Sequence, residues 1–387
     1  MDTVKILITD YLGNVISSDN QYSDYSFNFD SNNICSSFSL TLVNVDFSVV
    51  PGNLVLLLIN NNLEFTGIIQ RKQRTTSKGS DTVTLSGKDR ACILVESYCN
   101  NFKDFVRKTP RFIVDSLIGQ TEFYTKPKGS VDQIADTTGL SSSEDVSDRN
   151  AAALADVNNA NTVPSPDYVT TYDESFYNLP AKTSFKINVG DMVFDKINQL
   201  VKALGFEVLY ENSGSLYIGD LNKKRYYDPV EYSITYRRDG VGNNILSSDF
   251  TDDISGRYSS IMVSSQSSGA DDTPINSFKT AKDSTVPNIK FMAMQINDEN
   301  ESAGITAIQE REDQHIDGFS LSYTLQGHTV DSGEPWKINR YAHVYDDIND
   351  IQQVLVVYSV AFSFSMSSGT TTEIILGKEK IFTELEI

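Results

Sequence analysis

Histidine is the first side chain to look for where proton transfer or metal binding is in question, and this 387-residue chain has three. His315 closes the stretch EREDQH, where Glu312 and His315 have the E-x-x-H spacing that sets two ligands on one helix face. A metal centre needs further ligands, and the charges around this pair read as a solvated helix face. His328 precedes a strand break, and His343 alternates with Tyr341 and Tyr345. Both read as packing or surface residues, since nothing near them supplies a triad or a ligand set.

The remaining motifs are equally sparse. Residues 239–244, DGVGNN, begin like a dinucleotide-binding loop but lack its third glycine and a surrounding βαβ unit, so they read as a loop. Residues 346–352, DDINDIQ, miss the Gly and Glu of a calcium-binding EF-hand and read as a hairpin turn. Scattered carboxylates leave a glycosidase pair open, because such a pair need only meet in space. Cys92 and Cys99 are spaced for one helix face and read as small buried hydrophobes; Trp336, the sole tryptophan, reads as a core or edge plug. No catalytic, cofactor-binding or metal-binding residue is assigned, no cofactor is implied, and the chain reads as structural rather than enzymatic.

The elements that would position any site are mostly strands. The length suggests two to three domains, and the nineteen tyrosines and twenty phenylalanines favour sheet. Val4, Ile6 and Ile8 alternate with polar neighbours, as do Phe38, Leu40 and Leu42. The run LVLLLI, residues 54–59, predicts a buried strand, turned back at residues 60–62. From Lys88 the period changes: Ile93, Leu94, Phe102, Phe105 and Val106 take helical spacing, and Pro110 can open a second helix carrying Ile113, Leu117 and Ile118. Residues 129–172 fall to Ser, Asp, Asn, Ala, Thr and Pro and predict a long surface loop, with one short helix at AAALAD. Phe194, Ile197, Leu200, Val201 and Leu204 then share a helix face, with Asp191 as N-cap and Gly205 as stop. A hairpin follows through Phe206, Val208 and Tyr210, returning by Leu216 and Ile218. Beyond Tyr226 strands resume, with a polar loop predicted at residues 267–288 and a helix at SAGITAIQEREDQH.

Charge narrows the function. A net charge of -20 repels nucleic-acid phosphates, so specific nucleic-acid binding is not expected. Three cysteines without a CxxC fit folding in a reducing compartment. The opening MDTVKILITDYLG does not read as a signal peptide, and the longest strongly apolar run is far too short to span a bilayer.

One internal echo stands out. SKGSDTVTLSGKDR, residues 77–90, aligns without a gap with SSGTTTEIILGKEK, residues 367–380. Ser77, Gly79, Thr82, Gly87 and Lys88 recur as Ser367, Gly369, Thr372, Gly377 and Lys378. A repeated turn and strand near the two ends suggests a repeated domain.

Three stretches together resemble phage baseplate hub proteins of the Mu type, with the related late control protein D and the N-terminal part of type VI spike proteins. GKDRACILVESYCN resembles the exit from their first barrel, and VGDMVFDKINQLVKALGFEVLYENSGSLYIGD their middle helix and hairpin. The closing stretch from EPWKINRY to GKEKIF resembles their last barrel. The resemblance implies a mixed, mainly β fold. It would comprise a tube-like β-barrel at 1–91, a helical connector at 92–128, the low-complexity insertion at 129–172, a small α+β module at 173–222, and a second barrel at 223–387 with a helical insertion near 300–316. It further implies a homotrimeric structural hub in a virion tail baseplate, or in a related contractile injection system, assembled in the host cytoplasm. Six barrels in a ring would adapt a sixfold tail tube protein to a threefold central spike protein, with baseplate wedge and tape measure proteins nearby and no membrane insertion of its own. The competing readings are a tail-associated cell-wall hydrolase and a β-rich carbohydrate-binding adhesin.

Overall fold

The computed structural model describes residues 2–10, 14–17, 22–43, 49–78, 80–100, 102, 104–121, 123, 169–211, 214–227, 231–268, 274–286, 290–296 and 302–380. The chain opens with seven strands: β1 (Val4–Thr9), β2 (Val15–Ser17), β3 (Tyr22–Asp30), β4 (Asn33–Val43), β5 (Leu54–Ile59), β6 (Asn62–Ser77) and β7 (Ser80–Asp89). All six residues of β5 are buried. Val55, Leu57 and Ile59 enter the main core, while Leu54, Leu56 and Leu58 pack with Leu7 on the other face. An unbroken apolar run is what a strand covered on both faces requires. Asn60 and Asn61 both take positive φ (50° and 66°), giving the tight two-residue turn into β6 that suits the twist of a hairpin.

A middle module follows, built from α1 (Cys92–Val95), β8 (Phe105–Lys108), α2 (Pro110–Ile118), β9 (Thr170–Tyr172), α3 (Glu174–Tyr177), β10 (Lys182–Phe185), α4 (Val193–Ala203), β11 (Glu207–Tyr210) and β12 (Leu216–Gly219). Its separate core gathers Ile113, Leu117, Phe176, Ile197, Leu200 and Ile218. Thr109 caps α2 through the Phe112 N–H at 3.3 Å, with Pro110 at its first position. Gly205, at φ 82°, supplies the left-handed turn after α4.

The last part runs α5 (Leu221–Tyr227), β13 (Glu231–Tyr236), β14 (Ile245–Asp252), β15 (Ser260–Ser268), β16 (Pro274–Lys282), β17 (Phe291–Ile296), α6 (Ala303–Asp317), β18 (Phe319–Gln326), β19 (Tyr341–Asp346), β20 (Ile351–Ser365) and β21 (Gly369–Gly377). β16-β15-β17 form a small sheet under α6, whose Ala303 and Ala307 meet Ile261 and Val263.

One thirteen-stranded sheet joins both ends of the chain. In the first half the order is β3-β4-β7-β6-β5-β1; in the second it is β14-β18-β21-β20-β19-β13. The two orders correspond strand for strand. The outermost pairing differs, β1 lying antiparallel to β5 and β13 parallel to β19. Each half also carries a bulge at the same point of its long hairpin, at Gln70 between Ile69 and Arg71, and at Tyr358 between Val357 and Ser359. Strand pairing closes neither half into a barrel among the described residues; what the halves share is strand order.

Several expectations are corrected. The echo between residues 77–90 and 367–380 marks the right strands one residue out of step. The bulges set Gly87 against Leu376, and the buried Leu85 against the buried Ile374 rather than the half-exposed Ile375. Because a strand alternates faces, a one-residue slip exchanges inside for outside. The helix expected through Phe102, Phe105 and Val106 stops at Val95, and Phe105 instead pairs with Phe185 in a short sheet. Cys92 and Cys99 therefore share no helix, although both are buried and free. The polar stretch at 267–288 contains β16, which pairs with β15 from Pro274↔Ser268 to Lys282↔Ser260 and buries Ala281. Asp191 caps no helix; it accepts the Asn188 N–H at 2.6 Å, and Met192 stands at the N-cap. Of the low-complexity block, Thr170–Tyr172 form β9, parallel to β12. The helix expected at AAALAD lies outside the described residues.

Candidate functional site

The two halves meet at a seam built from strands near opposite ends of the chain. β3 is the outer strand of the first half, and it pairs antiparallel with the distal part of β20, from Ser359↔Asp30 to Ser365↔Asp24. Residues directly opposite in such a ladder point to the same face. Val360, Phe362 and Phe364 therefore meet Phe29, Phe27 and Tyr25 across the seam. Phe362 and Phe29 pack edge to face with centroids 5.7 Å apart, and Tyr25 stacks on Phe364 at 5.6 Å. Ser359 Oγ donates to the Phe29 carbonyl at 2.9 Å, and the Ser31 N–H donates to the Tyr358 carbonyl at 2.8 Å.

His328 pins this seam. It is fully buried, 4.8 Å from the Phe362 ring. Its Nε2 lies 2.8 Å from Tyr25 Oη and its Nδ1 2.9 Å from Thr372 Oγ1. Thr372 spends its only hydroxyl hydrogen on the Gly327 carbonyl at 2.6 Å. Nδ1 is therefore the donor to Thr372, and Nε2 accepts from Tyr25. This chain of bonds suits a neutral ring, and burial pulls the imidazole down to about 4. Asp2 accepts the His328 N–H at 2.5 Å and the Thr329 hydroxyl at 2.6 Å, tying the first strand's approach to the same loop. The Gly327 backbone takes φ 81°, and a Cβ there would lie 2.8 Å from Asp2 Oδ2.

The other residues singled out by spacing are scattered. His315 does not act with Glu312, which pairs with Arg311 at 2.7 Å. It reaches Asp283 at 2.7 Å, beside Arg257, which holds the same carboxylate at 2.8 Å. Burial alone would raise the Asp283 carboxyl, but bonds from Thr285, Arg257 and His315 outweigh it and hold it well below the usual carboxylate range. This buried cluster fastens α6 to its sheet. His343 faces outward on β19, and Trp336 is a core plug 4.6 Å from the Tyr232 ring. Residues 239–244 form the turn between β13 and β14, with Gly240 and Gly242 at positive φ. Residues 346–352 span the β19–β20 turn, where Asp346 accepts the Ile348 and Asn349 N–H groups at 2.8 and 2.9 Å and the Tyr323 hydroxyl at 2.6 Å.

The carboxylates come together in a cleft of about 290 Å³ between the middle module, α6 and the chain after β21. There Lys380 bridges Glu207 and Asp313, each at 2.9 Å. Burial would lower the ammonium, but the two carboxylates outweigh it and raise it above the usual lysine range. Glu207 and Asp313 are thereby engaged in an ion pair, and Asp317 lines the same cleft. Among the described residues, no three His, Cys, Asp or Glu side chains gather as a metal would need. No helix among them is long and apolar enough to cross a membrane.

Sequence reasoning missed the seam, because its partners lie hundreds of residues apart. The alternating aromatics of Tyr25, Phe27 and Phe29, and of Phe362 and Phe364, were the available signal.

No protein-family model matches the sequence, and no curated protein matches it. Solved structures match in fold. A tail protein from Neisseria meningitidis MC58 superposes with a TM-score of 0.71 at 21% identity, over 98% of each chain. The 43 kDa tail protein of prophage MuSo2 from Shewanella oneidensis also reaches 0.71, at 13% identity and again over 98% of both chains. A chain of a Francisella PdpA–VgrG complex reaches 0.55 at 10% identity, covering 100% of this chain and 59% of that one. The fold is thus that of phage tail proteins. The same fold is shared by a prophage tail protein and by a chain of a VgrG complex, in keeping with the baseplate-hub resemblance carried by the sequence.

Proposed function

We propose that this chain is a structural baseplate hub of a phage tail or related injection machine. It assembles as a homotrimer in which two barrel-like halves per chain build a ring of six. One face of the ring meets the sixfold tail tube, and the other meets the threefold central spike. The observation that carries this reading is the repeated strand order, β3-β4-β7-β6-β5-β1 and β14-β18-β21-β20-β19-β13, in a chain with a tail-protein fold. A duplicated unit lets three chains present six similar surfaces while keeping threefold symmetry. The net charge of -20 supports a channel wall past which cargo slides without adhering. The role is structural: Glu207 and Asp313 of the cleft beside α6 are held by Lys380, and His315 is tied into an ion cluster. The test is negative-stain imaging of the chain mixed with its tube subunit and its spike protein. A ring with a central channel, capped on one face by the spike, is expected. Wall-degrading activity of the purified chain, without any such ring, would point to the hydrolase instead.

A further inference from the structure

The closed seam has an open counterpart. β3 occupies the outer place beside β4, and β14 occupies the same place beside β18. The distal part of β20 lies beyond its bulge and past the end of its ladder with β19. The distal part of β6, residues 71–77, lies likewise beyond its bulge and past the end of its ladder with β5. In the second half, then, β14 presents the edge that β3 uses. In the first half, β6 presents the edge to which β3 would dock. Among the described residues β14 pairs only with β18, and distal β6 only with β7. Residues 70–77 are all exposed, and so is most of β14. Open edges of this kind are templates for another strand.

The bulges fix how the closed seam maps onto these edges. Ile69, Gly87, Phe38 and Phe27 form one row across the first half; Val357, Leu376, Leu321 and Phe250 form the matching row across the second. Carrying the β3–β20 register over row by row sets Arg74 opposite Phe250, Lys72 opposite Asp252, Arg71 opposite Asp253 and Thr75 opposite Asp249. The charges agree with this register. In a chain of net charge -20, residues 70–78, QRKQRTTSK, contain four basic residues and no acidic one. Residues 247–253, SSDFTDD, contain three aspartates and no basic residue. Opposite charges across a ladder stabilise it and steer the correct partner into place.

We infer that β14 of one copy pairs antiparallel with the distal part of β6 of the next, through the basic edge at Arg71, Lys72 and Arg74 and the acidic edge at Asp249, Asp252 and Asp253. The contact is head-to-tail, and in the trimeric reading three repetitions of it close the ring. The inference rests on the trimeric hub reading and names the surface by which the copies join.

The test is made where the unaltered chain is trimeric, alone or with its tube and spike proteins. Lys72→Glu and Asp252→Lys should each raise the concentration needed for trimer by roughly tenfold, as like charges face each other at every contact. The chain carrying both should assemble again. Thr75→Cys together with Asp249→Cys should give a covalent trimer under mild oxidation, with the parent chain as control for its own cysteines. A trimer indifferent to both reversals and giving no cross-link overturns the strand pairing and leaves the hub reading standing. So does a loss of trimer that the double reversal does not restore. An unaltered chain that never forms a trimer with any partner overturns both.

Discussion

Across the joint between β3 and β20, Tyr25, Phe27 and Phe29 face Phe364, Phe362 and Val360. The corresponding places on the free edges carry Ser248, Phe250 and Asp252 on β14, and Thr76, Arg74 and Lys72 on β6. The architecture repeats but the chemistry does not. A seam formed once, as the chain folds, can be lined with aromatics because it is never displayed to water. A seam that waits for a second molecule has to stay soluble, and edge strands achieve this with charge. The loss of apolar area at the open edge is the cost of avoiding premature pairing, and complementary charge restores selectivity.

The largest effect that distinguishes the two should come from the closed seam. Phe362→Ala removes a fully buried ring among Phe29, His328 and Phe27 and should cost about 3–5 kcal/mol in urea unfolding. A loss under 1 kcal/mol would mean that the seam contributes little to the folded chain.

Protonation offers a second contrast. His328 is held at about 4, below its ordinary 6.5, so the stability tied to its neutral form is whole above 6.5 and lost as pH falls toward 4. Asp89, buried where β7 ends, accepts the Ser36 N–H at 2.7 Å and the Ala91 N–H at 3.0 Å. Burial still pushes its carboxyl up to about 7 from 3.8. Its contribution runs the other way: whole below 3.8, and lost as pH rises through about 7. Each term is on the order of 3 kcal/mol, so the two largely offset between pH 4 and 6.5. Asp89→Asn should expose the histidine slope and make the chain less stable toward pH 4. His328→Gln should expose the opposite slope. Unfolding curves at pH 4, 5 and 6.5 check both, and parallel behaviour of the two variants would break the argument.

Each half carries a glycine beside its bulge, though not at equivalent places: Gly87 matches Leu376, and Gly377 lies one residue further on. A Cβ on Gly87 would lie 1.9 Å from the Ile68 carbonyl oxygen, whereas one on Gly377 would meet the Tyr358 ring at 2.8 Å. Gly87→Ala should therefore lose about 1–3 kcal/mol by thermal or urea unfolding, and Gly377→Ala less, since a ring edge can turn aside and a backbone carbonyl cannot. The smallest effect belongs to the open edge: Arg74, paired with Asp81 at the surface, can be changed to Ala without moving the unfolding midpoint of the single chain. A clear shift there would show that the edge matters for folding and not only for assembly.

Much of this was legible from local pattern. The run LVLLLI, the α4 face of Ile197, Leu200 and Val201, the β11–β12 hairpin and the closing strands all follow from periodicity within a dozen residues. What escaped depends on distance. The β3–β20 ladder joins residues at opposite ends of the chain, and no local period encodes which edge a strand will find. β16 escaped for another reason: of residues 278–282 Ala281 is buried while Phe278 is exposed, so no apolar alternation marks the strand and its character comes from pairing with β15. The echo near the two ends pointed to the right strands. Its one-residue slip arose because small and polar turn residues match easily, whereas the bulge that sets the true register has no sequence signature. His328 read as packing; its place as a bond between the halves depends on Tyr25 and Thr372, which only the fold brings together.

The central claim is that two like halves in each chain make a ring of three chains. Light scattering on a sizing column tests it most directly. The account predicts a species of three times the 43.0 kDa chain mass, formed by the chain alone or on adding its spike and tube proteins. A chain that remains monomeric in the presence of both would contradict it.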